Sequence, residues 1–208
     1  MSQPVPASTP EPTAAAPSWG SSLADPGPLG LAAFAMTTFV LSCIRADLIP
    51  STLEATVFGL AFFYGGLVQL LAGMWEFARG NTFGAVAFSS YGAFWLSFWY
   101  LDTHVALLAA AKDDVHKGVG TYLLGWTIFT AFMTIGTLRL NGALLGVFSA
   151  LTVTFALLTL AEYFESTGLT KVGGYFGLLT ALLAWYTAAA GVINSTEKRV
   201  LLPLFPRS

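Results

Sequence analysis

The chain of 208 residues carries one cysteine, two histidines and few charges. The lone Cys43 excludes an intrachain disulfide, and no His or carboxylate set at ligand spacing surrounds it, so no metal site is implied. Inside an apolar block it reads as a small buried filler. Charged residues make up 10% of the chain, against about 25% in a soluble domain. A formal net charge of -2 offers no basic face for nucleic acid. No phosphate-cradling glycine loop, nucleophile–base pair or paired acid and base is present, so the sequence does not read as an enzyme and asks for no cofactor. No Lys, Arg, Asp or Glu stands at the middle of an apolar block. A carrier working through a buried ion pair or a relay carboxylate would show one.

What is present is apolar sequence: 55% hydrophobic residues, mean hydropathy +0.70, laid out in long blocks. That pattern defines an all-α, polytopic membrane protein in a lipid bilayer. Residues 1–25 are rich in Pro, Ala and Ser, with no basic start or apolar core, and read as a disordered tail rather than a signal. Residues 26–195 hold six expected transmembrane helices: Leu29 to Ile44, Leu53 to Phe77, Thr82 to Leu101, Val119 to Leu138, Ala143 to Ala161 and Val172 to Ile193. Residues 196–208 form a short basic tail. Polar loops are expected at Asp102 to Gly118, which holds both histidines, and at Glu162 to Lys171, and a tight turn at Arg139 to Gly142. Six crossings put both termini on one side. That side carries Arg79, Arg139, Lys198, Arg199 and Arg207, against Arg45, Lys112, Lys117 and Lys171 opposite. The excess points to cytoplasmic termini.

The stretch from Phe58 to Gly92 is the organising hairpin. Gly59, Gly66 and Gly73 recur every seven residues, a small-residue seam along one helix side. Asn81 stands where the next helix wants an N-cap. Glu76 and Arg79, one turn apart, suit a local ion pair at the interface. Tyr91, Phe94, Trp95 and Phe98 share one face by their spacing. Thr37, Thr38 and Ser42 carry hydroxyls that either return to a carbonyl one turn back or face a polar cavity. Gln69 is the clearest polar residue inside a span, and its amide needs either an interhelical partner or a wet path. Any path is therefore lined by hydroxyls, amides, backbone and aromatics, which suits a small solute selected by width and desolvation. The helix starts at Pro28 and Thr82 present free N–H groups suited to an anion or to ordinary capping.

Several motifs then occur in a fixed order. Asp25-Pro26-Gly27-Pro28-Leu29-Gly30-Leu31 is followed by Phe34-Ala-Met-Thr-Thr38. Next come Phe63-Tyr-Gly-Gly66, Gln69, Ala72-Gly73, Glu76 and Gly80-Asn-Thr-Phe-Gly84. Ser90-Tyr-Gly-Ala-Phe-Trp95, Gly136-Thr-Leu138 and Leu151-Thr-Val153 complete the series. Together they resemble the acetate uptake transporter family, the succinate–acetate permeases of YaaH type, from about Asp25 to Pro203. The family signature opens Asn-Pro-Ala-Pro-Leu-Gly-Leu; here Asp25 and Gly27 depart from it.

The resemblance implies a six-helix protomer in the cell membrane, assembled as a homo-hexamer. It implies passage of acetate, of related small monocarboxylates and, more weakly, of succinate, either linked to protons or through a channel. It places a narrow hydrophobic constriction at Phe34, Tyr91 and Leu151. Polar candidates near it are Thr37, Thr38, Gln69, Asn81, Thr82 and Thr152. Proton-linked symport is the leading expectation. A passive acetate or anion channel on the same fold, and a structural or sensory membrane protein without flux, stand as alternatives.

Overall fold

The computed structural model describes residues 23–104 and 114–207. Residues 1–22 of the expected N-terminal tail, and the loop residues 105–113 with Lys112 and Asp113, lie outside the described residues. Six helical stretches are seen among the described residues: α1 Gly27–Arg45, α2 Ser51–Arg79, α3 Thr82–Thr103, α4 Val115–Thr137, α5 Gly142–Tyr163 and α6 Thr167–Glu197. Five of them, all but α3, are long and apolar enough to cross a membrane. At 22 residues α3 is long enough too, but its tyrosines, tryptophans, serines and glycines lower its hydropathy.

Local chemistry sets the helix starts. The Asn81 side chain accepts the Gly84 N–H at 3.2 Å, the expected cap of α3. Asn141 does the same for α5, accepting from Leu144 at 2.8 Å. Ser166 accepts from Leu169 at 3.3 Å, and this cap starts α6 at Thr167, so the loop expected over Glu162 to Lys171 shortens to a turn. Likewise α4 begins at Val115 rather than Val119, with His116 and Lys117 in its first turn. At α1 the Asp25 carboxylate accepts the Gly27 N–H at 3.0 Å, ahead of two prolines that need no such partner.

α2 is not one regular helix. A 3-10 turn, Ser51–Leu53, leads into α-helix over Ala55–Gly59, a π-helical stretch over Leu60–Val68, and α-helix again over Gln69–Arg79. This changes the expected glycine seam. Gly73 lies against Ser89, and a Cβ on Gly66 would sit 2.7 Å from Leu96, both on α3, while Gly59 meets open space. Gly92 completes the contact from the other side, within 2.7 Å of the Leu70 backbone for an added Cβ. Two of the three expected glycines therefore serve close approach, and the third does not.

The helices form a ring. α2 packs on α3 and on α1, α1 on α6, α6 on α5, and α5 on α4. Between α3 and α4 the backbones scarcely approach, and aromatic side chains close the ring. Tyr91 lies 5.4 Å from Phe129 between ring centroids, Phe94 5.1 Å from Trp126 and 6.1 Å from Tyr122. The aromatic face read from spacing on α3 is buried throughout: Tyr91, Phe94, Trp95 and Phe98. The outward faces remain apolar, with Ile128, Phe132 and Ile135 of α4 and Leu182 of α6 exposed. That arrangement carries no penalty in lipid.

Most threonines in the spans bond a carbonyl one turn back: Thr37 to Ala33, Thr130 to Trp126, Thr154 to Ala150 and Thr180 to Phe176. After α6 the chain folds back. Asn194 clasps Leu201 and Leu202. Pro206 then bridges Asn141, and Gly142 donates to the Phe205 carbonyl at 2.7 Å.

Candidate functional site

Two cavities lie within the ring. The first, about 190 Å³, is bordered by Leu31 and Phe34 of α1, Gln69 and Glu76 of α2, Asn81 and Tyr91, together with residues of α5 and Leu204 of the returning C-terminal segment. The second, about 130 Å³, is bordered by Phe34, Thr38 and Arg45 of α1, Trp95 and Asp102 of α3, and Leu151 and Glu162 of α5. Phe34 and Leu151 border both cavities; Tyr91 borders the first. All three are at most 4% exposed. The Phe34 and Tyr91 rings stand 5.7 Å apart and tilted. Tyr91 is held from behind: its hydroxyl donates to Thr130 Oγ1 at 2.9 Å, and Thr130 donates onward to the Trp126 carbonyl at 2.7 Å. Thr130 had no signal in the sequence beyond its place on an apolar helix.

The polar candidates separate. Gln69 is 1% exposed and borders the first cavity, and its Oε1 has no hydrogen-bond partner among the described residues. Thr38 borders the second cavity, and its hydroxyl is likewise buried and unpartnered there, as is the indole nitrogen of Trp95. Asn81 borders the first cavity. Thr37, Thr82 and Thr152 border neither. Thr37 is turned onto its own helix, and Thr152 meets Thr134 of α4 at 2.8 Å while donating to the Phe148 carbonyl. Of the signature residues, Asp25, Gly27, Pro28 and Leu31 border the first cavity. Gly30 lets Phe88 approach, since an added Cβ would lie 2.7 Å from that ring.

The expected Glu76–Arg79 pair is not formed. Arg79 reaches Asp25 at 2.8 Å, so the turn of the hairpin ties to the start of α1. Glu76 is 2% exposed and accepts instead from Asn81 Nδ2 at 2.9 Å. Sequence reading assigned this carboxylate to the interface because it stands in the last turn of its helix. The signal that would have placed it is its separation of seven from Gln69, two turns on the same side. At the second cavity Arg45 pairs with Glu54 at 2.7 Å. His116, near the rim formed by Glu162, meets that carboxylate at 2.7 Å.

A ring of apolar helices around two small cavities, with buried Phe34 and Leu151 bordering both, is a multi-pass membrane protein of the transporter and channel class. The comparisons narrow this. The chain belongs to the GPR1/FUN34/yaaH family, which matches residues 7–207. It is 46% identical over 201 residues to acetate permease A of Emericella nidulans, covering 89% of this chain and 67% of that protein. It is 38% identical over 187 residues to the succinate-acetate/proton symporter SatP of Escherichia coli, covering 88% of this chain and 95% of that one. Against the solved structure of the bacterial acetate channel SatP the TM-score is 0.80 at 37% identity, over 88% of this chain and 99% of that chain. The chain spans 66% of the length of the Saccharomyces cerevisiae relatives it matches at 44% and 42% identity.

Proposed function

We propose that this chain carries acetate and related short carboxylates, succinate among them, across the membrane by proton-linked symport through the two cavities and the neck between them. The protomer crosses the bilayer six times, α3 included, over about residues 26–195, with both termini in the cytoplasm, and assembles as a hexamer. Phe34, Tyr91 and Leu151 form the constriction. The observation that carries this reading is that Phe34 and Leu151 border both cavities, as residues between two vestibules must. An apolar neck is costly for a bare anion and cheaper for acetic acid or a partly hydrated ion. Gln69 and Thr38, each with an unpartnered buried polar atom on opposite cavities, supply hydrogen bonds on either side of it.

The test is uptake of labelled acetate into proteoliposomes with and without an imposed pH gradient, against protein-free vesicles that report leak of the neutral acid. Accumulation beyond the level that leak alone reaches supports the symporter. A second reading, a passive channel, draws on the relative titled an acetate channel. It requires faster approach to the same endpoint, with current under voltage. Absence of flux above the vesicle baseline refutes both.

A further inference from the structure

We propose that Glu76 is the titrating group that sets the pH dependence of acetate passage: ionised, it closes the first cavity to carboxylates; protonated, it opens it. The inference rests on the reading of that cavity as part of the acetate route. Glu76 borders the cavity, 2% exposed, two turns beyond Gln69 on the same helix. Among the described residues no cation forms an ion pair with it, and the Arg79 charge acts on it only from a distance. Oε2 accepts from the neutral amide of Asn81 at 2.9 Å, and Arg79, the cation of the same helical turn, is held by Asp25 at 2.8 Å.

The groups that face Glu76 can be enumerated by element. From the start of α1 come Asp25 and the Gly27 backbone; from its own helix, Arg79; from α3, Asn81 and Gly84. Across the cavity α5 and α6 bring neutral side chains, Asn141 and Thr187. Asp25 and Glu76 are thus the charged residues among those bordering this cavity, and both are acids. Asp25 shares its charge with Arg79, which leaves Glu76 as the acid whose state sets the local potential.

The carboxylate also fills a particular space. An added Cβ on Gly84 would lie 2.7 Å from Glu76 Cδ, and one on Gly27 3.6 Å from Oε1. The side chain therefore sits between the first turns of α3 and α1, where the positive ends of two helix dipoles favour an anion. Ionised Glu76 is a resident anion in the position an incoming carboxylate would take, and it repels that carboxylate through a poorly screened interior. A proton from the aqueous vestibule onto Glu76 removes the repulsion and turns an acceptor into a donor. At a separation of about 6 Å and an effective dielectric of about 20, one such repulsion is on the order of a hundredfold in occupancy.

The experiment is tracer exchange of labelled acetate in proteoliposomes at equal pH on both faces, from about pH 5 to 8, with the leak of protein-free vesicles subtracted at each pH. Wild-type exchange is expected to fall by roughly tenfold or more as pH rises. Glu76→Gln keeps the volume and the acceptor for Asn81, and its profile is expected to be flat. Glu76→Asp, which still titrates, keeps a slope. Asn81→Ser retains a capping oxygen for α3 but, with its shorter side chain engaged in the cap, loses the Nδ2 donor that reaches the ionised carboxylate, so its profile moves to higher pH. A folded Glu76→Gln protein with the wild-type slope overturns the inference while leaving the transport reading standing. If Glu76→Gln does not fold, an unmoved Asn81→Ser profile overturns it equally. Wild-type protein that moves no acetate at any pH refutes the transport reading itself.

Discussion

Leu151→Ala is the sharpest test of the neck. Leu151 is 4% exposed and borders both cavities, of about 190 and 130 Å³. Truncation removes the isopropyl group from the wall they share and widens the passage without introducing a polar atom. One methylene of fit in an apolar site is worth roughly 1–3 kcal/mol, about 10–200-fold in discrimination. The uptake ratio of butyrate to acetate should therefore rise by about tenfold or more, with Leu151→Val intermediate. Core Leu→Ala changes cost about 2–5 kcal/mol. Leu151 already faces open space on two sides, so it forfeits fewer packing contacts and the cost should fall near the lower value. The assay is competition of unlabelled propionate, butyrate and succinate against labelled acetate in proteoliposomes, with a thermal melt in detergent to establish folding. A folded variant whose size cutoff matches wild type refutes the assignment of Leu151 to the constriction.

Tyr91→Phe leaves the ring in place and removes the donor to Thr130. Because Thr130 keeps its own bond to Trp126, stability should drop by only about 0.5–1.5 kcal/mol, while acetate exchange falls if the hydroxyl takes part in passage; a melt and a flux measurement separate the two. Asp25→Asn retains an acceptor for the Gly27 N–H but releases Arg79. Uptake of acetate at low ionic strength should increase several-fold and the gain should vanish at high salt; a salt-independent rate would show that Arg79 does not face the incoming anion. Gly84→Ala forces a methyl to 2.7 Å from Glu76 Cδ and Asn81 Nδ2. It should cost about 1–3 kcal/mol in a thermal melt and disturb acetate exchange, and an unshifted melt would mean that the Glu76 carboxylate moves freely.

Much of the architecture was legible because lipid imposes it. Apolar blocks separated by capped turns gave the helices, and the Asn81 cap appears where the sequence put it. The aromatic face of α3 followed from spacing alone. Phe34, Tyr91 and Leu151 were not legible from residues; they came from resemblance, and three side chains on three helices carry no local mark that they border one cavity. Glu76 was misplaced for a related reason. Its neighbour in sequence, Arg79, offered an obvious partner, but the ion pair forms with Asp25, fifty-four positions away. Pairing between ends of different helices depends on the tertiary ring, which periodicity does not contain. The same holds for Thr152, chosen for its place beside Leu151 and found bonded sideways to α4.

The π-helical stretch Leu60–Val68 explains the remaining discrepancy and bears on the site. In a regular helix, residues seven apart return to nearly one side, so Gly59, Gly66 and Gly73 should act together. Each residue advances about 100° in an α-helix, and a π segment adds residues per turn, so the faces before and after it fall out of phase. Gly59, ahead of the segment, then meets open space, while Gly66 and Gly73 meet α3. Gln69, the first residue after the segment, is brought onto the inner face with Glu76 following two turns later, while Phe63 turns outward at 64% exposure. No side chain in Leu60–Val68 marks such a shift. Its consequence is that Gln69 and Glu76 owe their common orientation to regular α-helix from Gln69 onward, and their orientation relative to the start of α2 to the π segment.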